Sequence, residues 1–331
     1  MRVYCDGIFD LFHKGHLEHF RKITTIFEHS VDIVVGVISD KVATEYKRAP
    51  IFNETQRLTI IDSCVYVKEC FITDTLILDE KFMFDHNIDI VVHAFANAED
   101  IEAQRIFFKV PIEVGKFKEI EYTKGISTTE ILNNKDLDWS EIWEKKGEID
   151  SNDLFLLNGW ESTEFKPIEF ISNIIEKLNI SENEKIIEIG CGAGLLAYYL
   201  SKYNYMGIDS SLSLINKHIN ILHNIALHFK STDRIFKDEY FDYTIINGVF
   251  EYFDNTEEVL NTLDEINRIT KKGIYIGNIR YKTRTIKQEK HKYDGVFTHL
   301  VLSKQLFIER GYTILDSLYD PENRFDVFIV K

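Results

Sequence analysis

His13 and His16 flank Gly15 where a short apolar strand pattern, Val3 to Cys5, gives way to an amphipathic helical one, His16 to Phe27. Two imidazoles and the amides of a helix start facing one pocket suit a phosphate, because glycine lets a ligand approach the backbone and the helix N-terminus favours an anion. The competing reading is that both histidines only cap and pack the first helix. A second polar helix start, Gly125, Ile126, Ser127 and Thr128, offers hydroxyls and free amides for a pyrophosphate, or serves as an ordinary N-cap. In the second half, Glu188, Gly190, Cys191, Gly192 and Gly194 lie in IIEIGCGAG after an apolar run, and Asp209 ends the next run. That order fits a nucleotide-type loop, with glycines for the turn and an acid for ribose hydroxyls, and it leaves a dinucleotide as the physical competitor.

Elements that would position these groups recur along the 331 residues. In the first half VDIVVGVI, Val65 to Ile72 and DIVVH read as strands and Gln56 to Ser63 as a helix. From Lys185 a second alternation runs through KIIEI, YMGID, FDYTIING, GIYIGNI and RFDVFIVK, with a helix from the glycine loop to about Tyr203. Strands alternating with helices predict an α/β chain of two Rossmann-like domains, each a mostly parallel sheet flanked by helices. The polar stretch 133–153 reads as a linker turning into a helix, so the expected domains are 1–134 and 135–331.

Three motifs of the first half, VYCDGIFDLFHKGH, NETQR and TKGIST, resemble the cytidylyltransferases that activate phosphocholine, phosphoethanolamine and glycerol phosphate. The resemblance implies transfer of CMP from CTP to a small phosphorylated alcohol, amine or phosphonate, with release of pyrophosphate. It implies His13, His16 and Lys47 as the catalytic groups. Asp6, Gly7, Ile8, Phe9, Gly15, His93, Arg57, Thr123, Gly125, Ile126, Ser127 and Thr128 would hold CTP, whose triphosphate would carry Mg²⁺ without metal ligands from protein side chains. The chain departs from the choline enzymes after His93, where Ala94 and Phe95 stand, at Leu76, and at Tyr122 in place of an arginine. An acceptor other than phosphocholine is therefore expected.

The second half, with EIGCGAG, GIDSS, FDYTIINGVFEY and KKGIYIGNI in order, resembles class I S-adenosylmethionine-dependent methyltransferases. This implies S-adenosylmethionine at Glu188, Gly190, Cys191, Gly192, Gly194, Asp209, Ser210, Asn247, Gly248 and Val249. The helix around Trp139 and Trp143 resembles the lid of small-molecule members, or serves as an aromatic staple. Tyr252, Arg280, Tyr281, Arg284 and His299 are the candidates for the methyl-acceptor side, and the basic run from Arg280 to Lys292 would attract an anionic acceptor or be a solvated face.

The expected enzyme is bifunctional, methylating the same head group or its CDP derivative; the alternatives are that one domain is inactive and only binds ligand, or that the first is an adenylyltransferase. The net charge of −15 is shared between −7 before residue 135 and −8 after it, which disfavours nucleic acid as a partner. Four cysteines without a paired pattern, no leader-like start and no run near about 18 apolar residues predict a cytoplasmic protein without membrane insertion. Homodimerisation, common among related nucleotidyltransferases, is expected.

Overall fold

The computed structural model describes residues 1–46, 48–95, 98–122, 139–160, 165–281 and 299–331. Lys47, Thr123, Gly125, Ile126, Ser127, Thr128 and Arg284, the helix expected near Thr128 and most of the basic run lie outside the described residues. The chain divides into two compact units, Met1–Asn133 with Ile235–Lys237, and Asn134–Arg234 with Asp238–Lys331.

The first unit is built on a five-stranded, all-parallel sheet. Its strands are β1 (Arg2–Gly7), β2 (Asp32–Ile38), β3 (Val67–Thr73), β4 (Ile90–His93) and β5 (Phe117–Glu119), in the order β3-β2-β1-β4-β5. Strand β2 is buried at six consecutive positions, as expected of a parallel strand covered on both faces. The chain winds from β1 out to β3 and returns to the other side of β1 at β4. That reversal places the carboxyl ends of β1 and β4, carrying Gly7 and His93, at the switch point where such sheets bind ligands. Helix α1 (Lys14–Thr25) follows β1, α2 (Asp40–Tyr46) follows β2, α3 (Glu54–Ser63) precedes β3, α4 (Glu80–Asp85) follows β3, and α5 (Ala98–Gln104) follows β4.

A seven-stranded mixed sheet forms the second unit. Strands β6 (Lys185–Ile189), β7 (Asn204–Asp209), β8 (Ile225–His228), β9 (Phe241–Asn247) and β10 (Thr270–Arg280) are parallel, while β11 (Thr313–Asp316) and β12 (Arg324–Val330) add an antiparallel edge. The order is β11-β12-β10-β9-β6-β7-β8, so the reversal falls between β6 and β9 and opens a cleft at their carboxyl ends. A helix over Pro167–Leu178 lays Phe170, Ile171, Ile174 and Leu178 on the sheet, each worth about 1.5–3 kcal/mol when fully buried. Proline opens it and Asn179 at φ 55° closes it.

One helix end and three strands differ from the sequence reading most. The helix after the glycine loop, Leu195–Tyr199, ends before Tyr203, because the chain must turn into β7 at Asn204. Strands β5, β8 and β11 are only three or four residues long, too short for an alternating pattern to register. Among the described residues no helix is long and apolar enough to cross a membrane, and no group of three or more His, Cys, Asp or Glu side chains could hold a metal ion.

Candidate functional sites

In the first unit, the loop between β1 and α1 delivers the two histidines. His13 is the N-cap of α1, its Nδ1 accepting from the Gly15 amide at 3.0 Å, while His16 Nδ1 accepts from the His13 amide at 3.3 Å. This reciprocal capping box uses Nδ1 of both rings as acceptors, so each neutral imidazole carries its proton on Nε2 and offers a donor away from the backbone. The rings stack at 3.9 Å, and a Cβ on residue 15 would lie 2.8 Å from His13 Cε1, which excludes other residues there. The capping and phosphate readings are therefore compatible, since they use different ring nitrogens.

Burial keeps these rings uncharged. It lowers the pKa of His13 and, with His13 and His19 nearby, takes His16 down to about 3. His19, one turn further along α1, and His93 at the end of β4 are both taken down to about 4, mainly by burial. The same burial pushes the Asp6 carboxyl up to about 7.

What holds this loop is a layer that the sequence did not expose. Phe9 and Leu11 adopt φ of 53° and 50°, left-handed conformations that cost non-glycine residues of order 1–3 kcal/mol each and need support from outside. Asp10 supplies one clamp: its carboxylate accepts from the amides of Ile51 and Phe52 at 3.0 and 3.1 Å and pairs with Arg48 at 3.0 Å. Arg57 supplies the other. Fully buried, it donates to the carbonyl of Ile8 at 2.6 Å, to that of Phe52 at 3.0 Å and to Asp40 at 2.7 Å. Three of the five Arg57 N–H donors are thus taken by two carbonyls and a carboxylate, which makes Arg57 a positioning residue of this loop. Phe9 is likewise a packing residue, its ring 5.4 Å from His16 and 5.5 Å from Phe20, and a Cβ on Gly7 would press on that ring at 3.0 Å.

Beside His93 the structure gathers groups from distant segments. Phe95 and Phe108 lie 4.7 and 4.5 Å from its ring, Asp100 and Gln104 act on it electrostatically, and Tyr46 meets Phe107 edge-on at 5.7 Å. Ring faces and a carboxylate are therefore present near β4, supplied by Phe95 just after His93 and by α2, α5 and the turn after α5.

In the second unit, the cleft at the carboxyl ends of β6, β7 and β9 is lined by Glu188, Gly190, Gly192, Asp209, Ser210, Asn247, Gly248, Val249 and Tyr252. The glycine loop is tight: Gly190 and Gly192 have φ of 73° and 51°, and a Cβ would fall 2.3 Å from Val249 Cγ2 and 2.2 Å from Asn158 Oδ1 respectively. Asp209 accepts from the Gly192 amide at 2.9 Å through one oxygen and from the Ser211 amide at 2.8 Å through the other, pinning the loop to β7. Glu188 accepts from the Tyr205 hydroxyl at 2.6 Å, and burial pushes its carboxyl up to about 8. Asn247 is oriented by Asn278, whose amide donates to Asn247 Oδ1 at 2.7 Å and accepts from the Ser317 hydroxyl at 2.9 Å. The helix Trp139–Gly147 docks through Glu144, which accepts from the Ser211 hydroxyl and the Ser213 amide, and it brings Trp139 and Trp143 to the cleft.

Residues 4–134 match the family model Cytidylyltransferase-like, and residues 187–274 match Methyltransferase domain. The chain joins a cytidylyltransferase-like domain to a methyltransferase domain. Among curated proteins, it is similar to choline-phosphate cytidylyltransferase A of Rattus norvegicus, at 34% identity over 40% of this chain and 35% of that one. It is also similar to ethanolamine-phosphate cytidylyltransferase of Dictyostelium discoideum, at 33% over 39% and 36%. The chain thus spans about a third of the length of these relatives. Among solved structures, phosphoethanolamine N-methyltransferase 1 of Haemonchus contortus, in complex with phosphoethanolamine and S-adenosylhomocysteine, aligns at 14% identity and a TM-score of 0.46, covering 57% of this chain and 47% of that one.

Within the methyltransferase domain several expected site residues stand apart from the cleft. Cys191 turns inward, where a Cβ on Gly207 would meet its Sγ at 2.7 Å. Gly194 instead lets its loop pack on His218 and Leu222. Arg280 donates to buried Glu251 at 2.8 Å, which also takes Arg324 at 2.8 and 3.0 Å, with His299 Nδ1 at 3.6 Å. Burial alone would raise the Glu251 carboxyl, yet the two guanidiniums hold it below the usual carboxylate range. Tyr281 bonds to the Glu322 carbonyl. Neither Arg280 nor Tyr281 is among the described lining residues, because each is used inside the fold. His299 stands behind the wall, its ring stacked on Trp139 at 4.7 Å. Missed by sequence reading were Phe229, Lys230 and Ser231, which line the cleft just after the unread strand β8.

Proposed function

We propose that the chain is a bifunctional transferase. The first domain transfers CMP from CTP to a small phosphorylated alcohol or amine, or a phosphonate, and the second methylates the same head group or its CDP derivative. The observation that carries this reading is the presence in one chain of two ligand-type strand edges: a neutral imidazole pair at a helix N-terminus, and a glycine cradle between buried Glu188 and half-buried Asp209. The relatives named for choline phosphate and ethanolamine phosphate support the acceptor class. Because Tyr46, Phe107 and Asp100 bring rings and a carboxylate to the first domain's switch point, phosphocholine is kept within that class.

In the first domain an acceptor phosphate oxygen forms the new bond to the α-phosphorus of CTP, while the bond to the bridging oxygen breaks and pyrophosphate leaves with the electron pair. Charge grows on the α-phosphoryl oxygens, and donors preplaced on His13 and His16 Nε2 answer it without reorganising. The clamps at Asp10 and Arg57 keep those donors aligned. Lys47, Ser127 and Thr128 are assigned to the remaining phosphates by the family resemblance. The residues of the second cleft fit S-adenosylmethionine, which would supply an electrophilic methyl when bound: Gly190 and Gly192 would leave room for it, Glu188 would hold its cationic amino acid end, and Asp209 would take ribose hydroxyls through lone pairs left beside the amides of Gly192 and Ser211.

Thermal stabilisation tests both halves. CTP with Mg²⁺ is expected to raise the first domain's transition more than ATP does, and S-adenosylhomocysteine that of the second. Greater protection by ATP would favour adenylyl transfer, and protection by neither nucleotide would favour an inactive first domain.

A proton linkage at Glu188 follows. Its carboxyl titrates near 8 in the fold against about 4.5 unfolded, so the folded state holds the proton more tightly and the ligand-free domain loses stability as pH rises from about 4.5 to 8. A cationic ligand favours the carboxylate, so S-adenosylmethionine affinity is expected to rise between pH 6 and 7, by at most about tenfold, with a proton released. Calorimetry in two buffers of different ionisation enthalpy measures the release, and Glu188→Gln should abolish it.

A further inference from the structure

We infer that the methyl acceptor is an amine, held as an ammonium against an aromatic wall made by Trp139, Trp143 and Tyr252. The inference rests on the methyl-transfer reading above and names the acceptor's chemistry. All three tryptophans of the chain, Trp139, Trp143 and Trp160, line the cleft that holds Glu188 and Asp209. Trp139 and Trp143 meet Tyr252 edge-on, at 4.9 Å and 66° and at 5.1 Å and 80°, with His299 packed behind at 5.6 Å from Tyr252. Aromatic faces attract a cation within about 6 Å of their centres, and indole does so most strongly.

Charge points the same way. Once Glu188 and Asp209 are assigned to the methyl donor, the described lining still carries Asp254 and Glu258 against Lys230. The guanidiniums of Arg280 and Arg324, which would favour an anion, are turned onto Glu251. The chemistry also favours nitrogen. No histidine is among the described lining residues, and an alkyl hydroxyl needs a base in the transition state, whereas an ammonium is acidic enough to give its proton to water beforehand and free its lone pair. The acceptor ammonium first gives one proton to water. The nitrogen lone pair then forms the N–C bond as the methyl C–S bond breaks, its electrons stay on sulfur, and the product is a methylated ammonium.

The intact chain tests this by fluorescence, since every tryptophan is at the site. Tetramethylammonium chloride is expected to change tryptophan emission saturably, with sodium chloride as the control. Ethanolamine phosphate should compete with it and support S-adenosylhomocysteine formation, while glycerol 3-phosphate does neither. Trp139→Ala should raise the KM for ethanolamine phosphate about tenfold and weaken the tetramethylammonium response by a similar factor, Trp139→Phe should do so less, and Tyr252→Phe should stay within about threefold because its ring remains. S-Adenosylhomocysteine affinity, measured on every variant, registers misfolding separately. Turnover with glycerol 3-phosphate but not the amine, or no response to tetramethylammonium, overturns the inference while leaving methyl transfer intact. Failure of the wild-type chain to bind S-adenosylhomocysteine overturns the underlying reading and the inference with it.

Discussion

Replacement of His16 by alanine is expected to lower pyrophosphate release from CTP by about 10²–10⁴-fold, the range typical for loss of one positioned donor or proton-handling group. S-Adenosylhomocysteine formation with the methyl acceptor supplied directly should be unchanged, because the described lining of the second cleft belongs to its own unit. The substitution removes two things at once, since His16 Nδ1 also completes the cap of α1. A lost cap costs about 0.5–2 kcal/mol, which a melting curve would reveal. The amides separate the roles. His16→Asn can place its oxygen near the position of Nδ1 and keep the cap but has no donor at Nε2, whereas His16→Gln can present an N–H near Nε2. The asparagine variant is expected to be as inactive as the alanine one while melting like wild type, and the glutamine variant to retain part of the rate. An active asparagine variant would reduce His16 to a helix cap.

The second large effect belongs to stability. Glu251 is shared by Arg280 and Arg324, and all three are largely buried, with side-chain exposures of 3%, 14% and 11%. Removing one member of a buried ion network leaves uncompensated charge and costs about 3–5 kcal/mol. For a unit of this size, that corresponds to about 6–20 °C in the melting temperature of the second domain. Glu251→Ala is expected to lose that much, with the first domain's transition unmoved. Glu251→Gln should fall between, since it keeps an acceptor oxygen and lacks the charge. Because Glu251 directly precedes Tyr252 and sits beside His299, methyl transfer should also weaken in the glutamine variant. Scanning calorimetry resolving two transitions checks the first expectation.

How far the sites were legible depended on what each residue had to do. Gly190, Gly192 and Asp209 could be read from order alone, because a turn with positive φ and close approach admits little besides glycine, and the acid must end the following strand. The place of His13 and His16 at the start of α1 could be read because a capping box needs that spacing. The contacts of Arg57 could not be read, since an arginine in NETQR looks the same whether its guanidinium meets phosphate or the carbonyls of Ile8 and Phe52. Asp10 was hidden because its partners are 41 and 42 residues away. The Glu251 network was equally hidden, joining residues 29 and 73 apart through two strands of one sheet. Arg280 therefore looked like the head of a basic face until β10 and β12 placed it inward. The short strand β8 carried no periodic signal, and with it went Phe229, Lys230 and Ser231. Function-bearing loops follow strands, so an unread strand hides its loop.

The central claim is that one chain performs both transfers on one head group. Incubation of the wild-type chain with CTP, Mg²⁺, ethanolamine phosphate and methyl-labelled S-adenosylmethionine, followed by mass spectrometry of the products, tests it most directly. The expected product is a CDP-linked amine carrying label, which loses the CMP part in His16→Asn and the label in Asp209→Ala. Products bearing either CMP or label, and never both on the same head group, would contradict it.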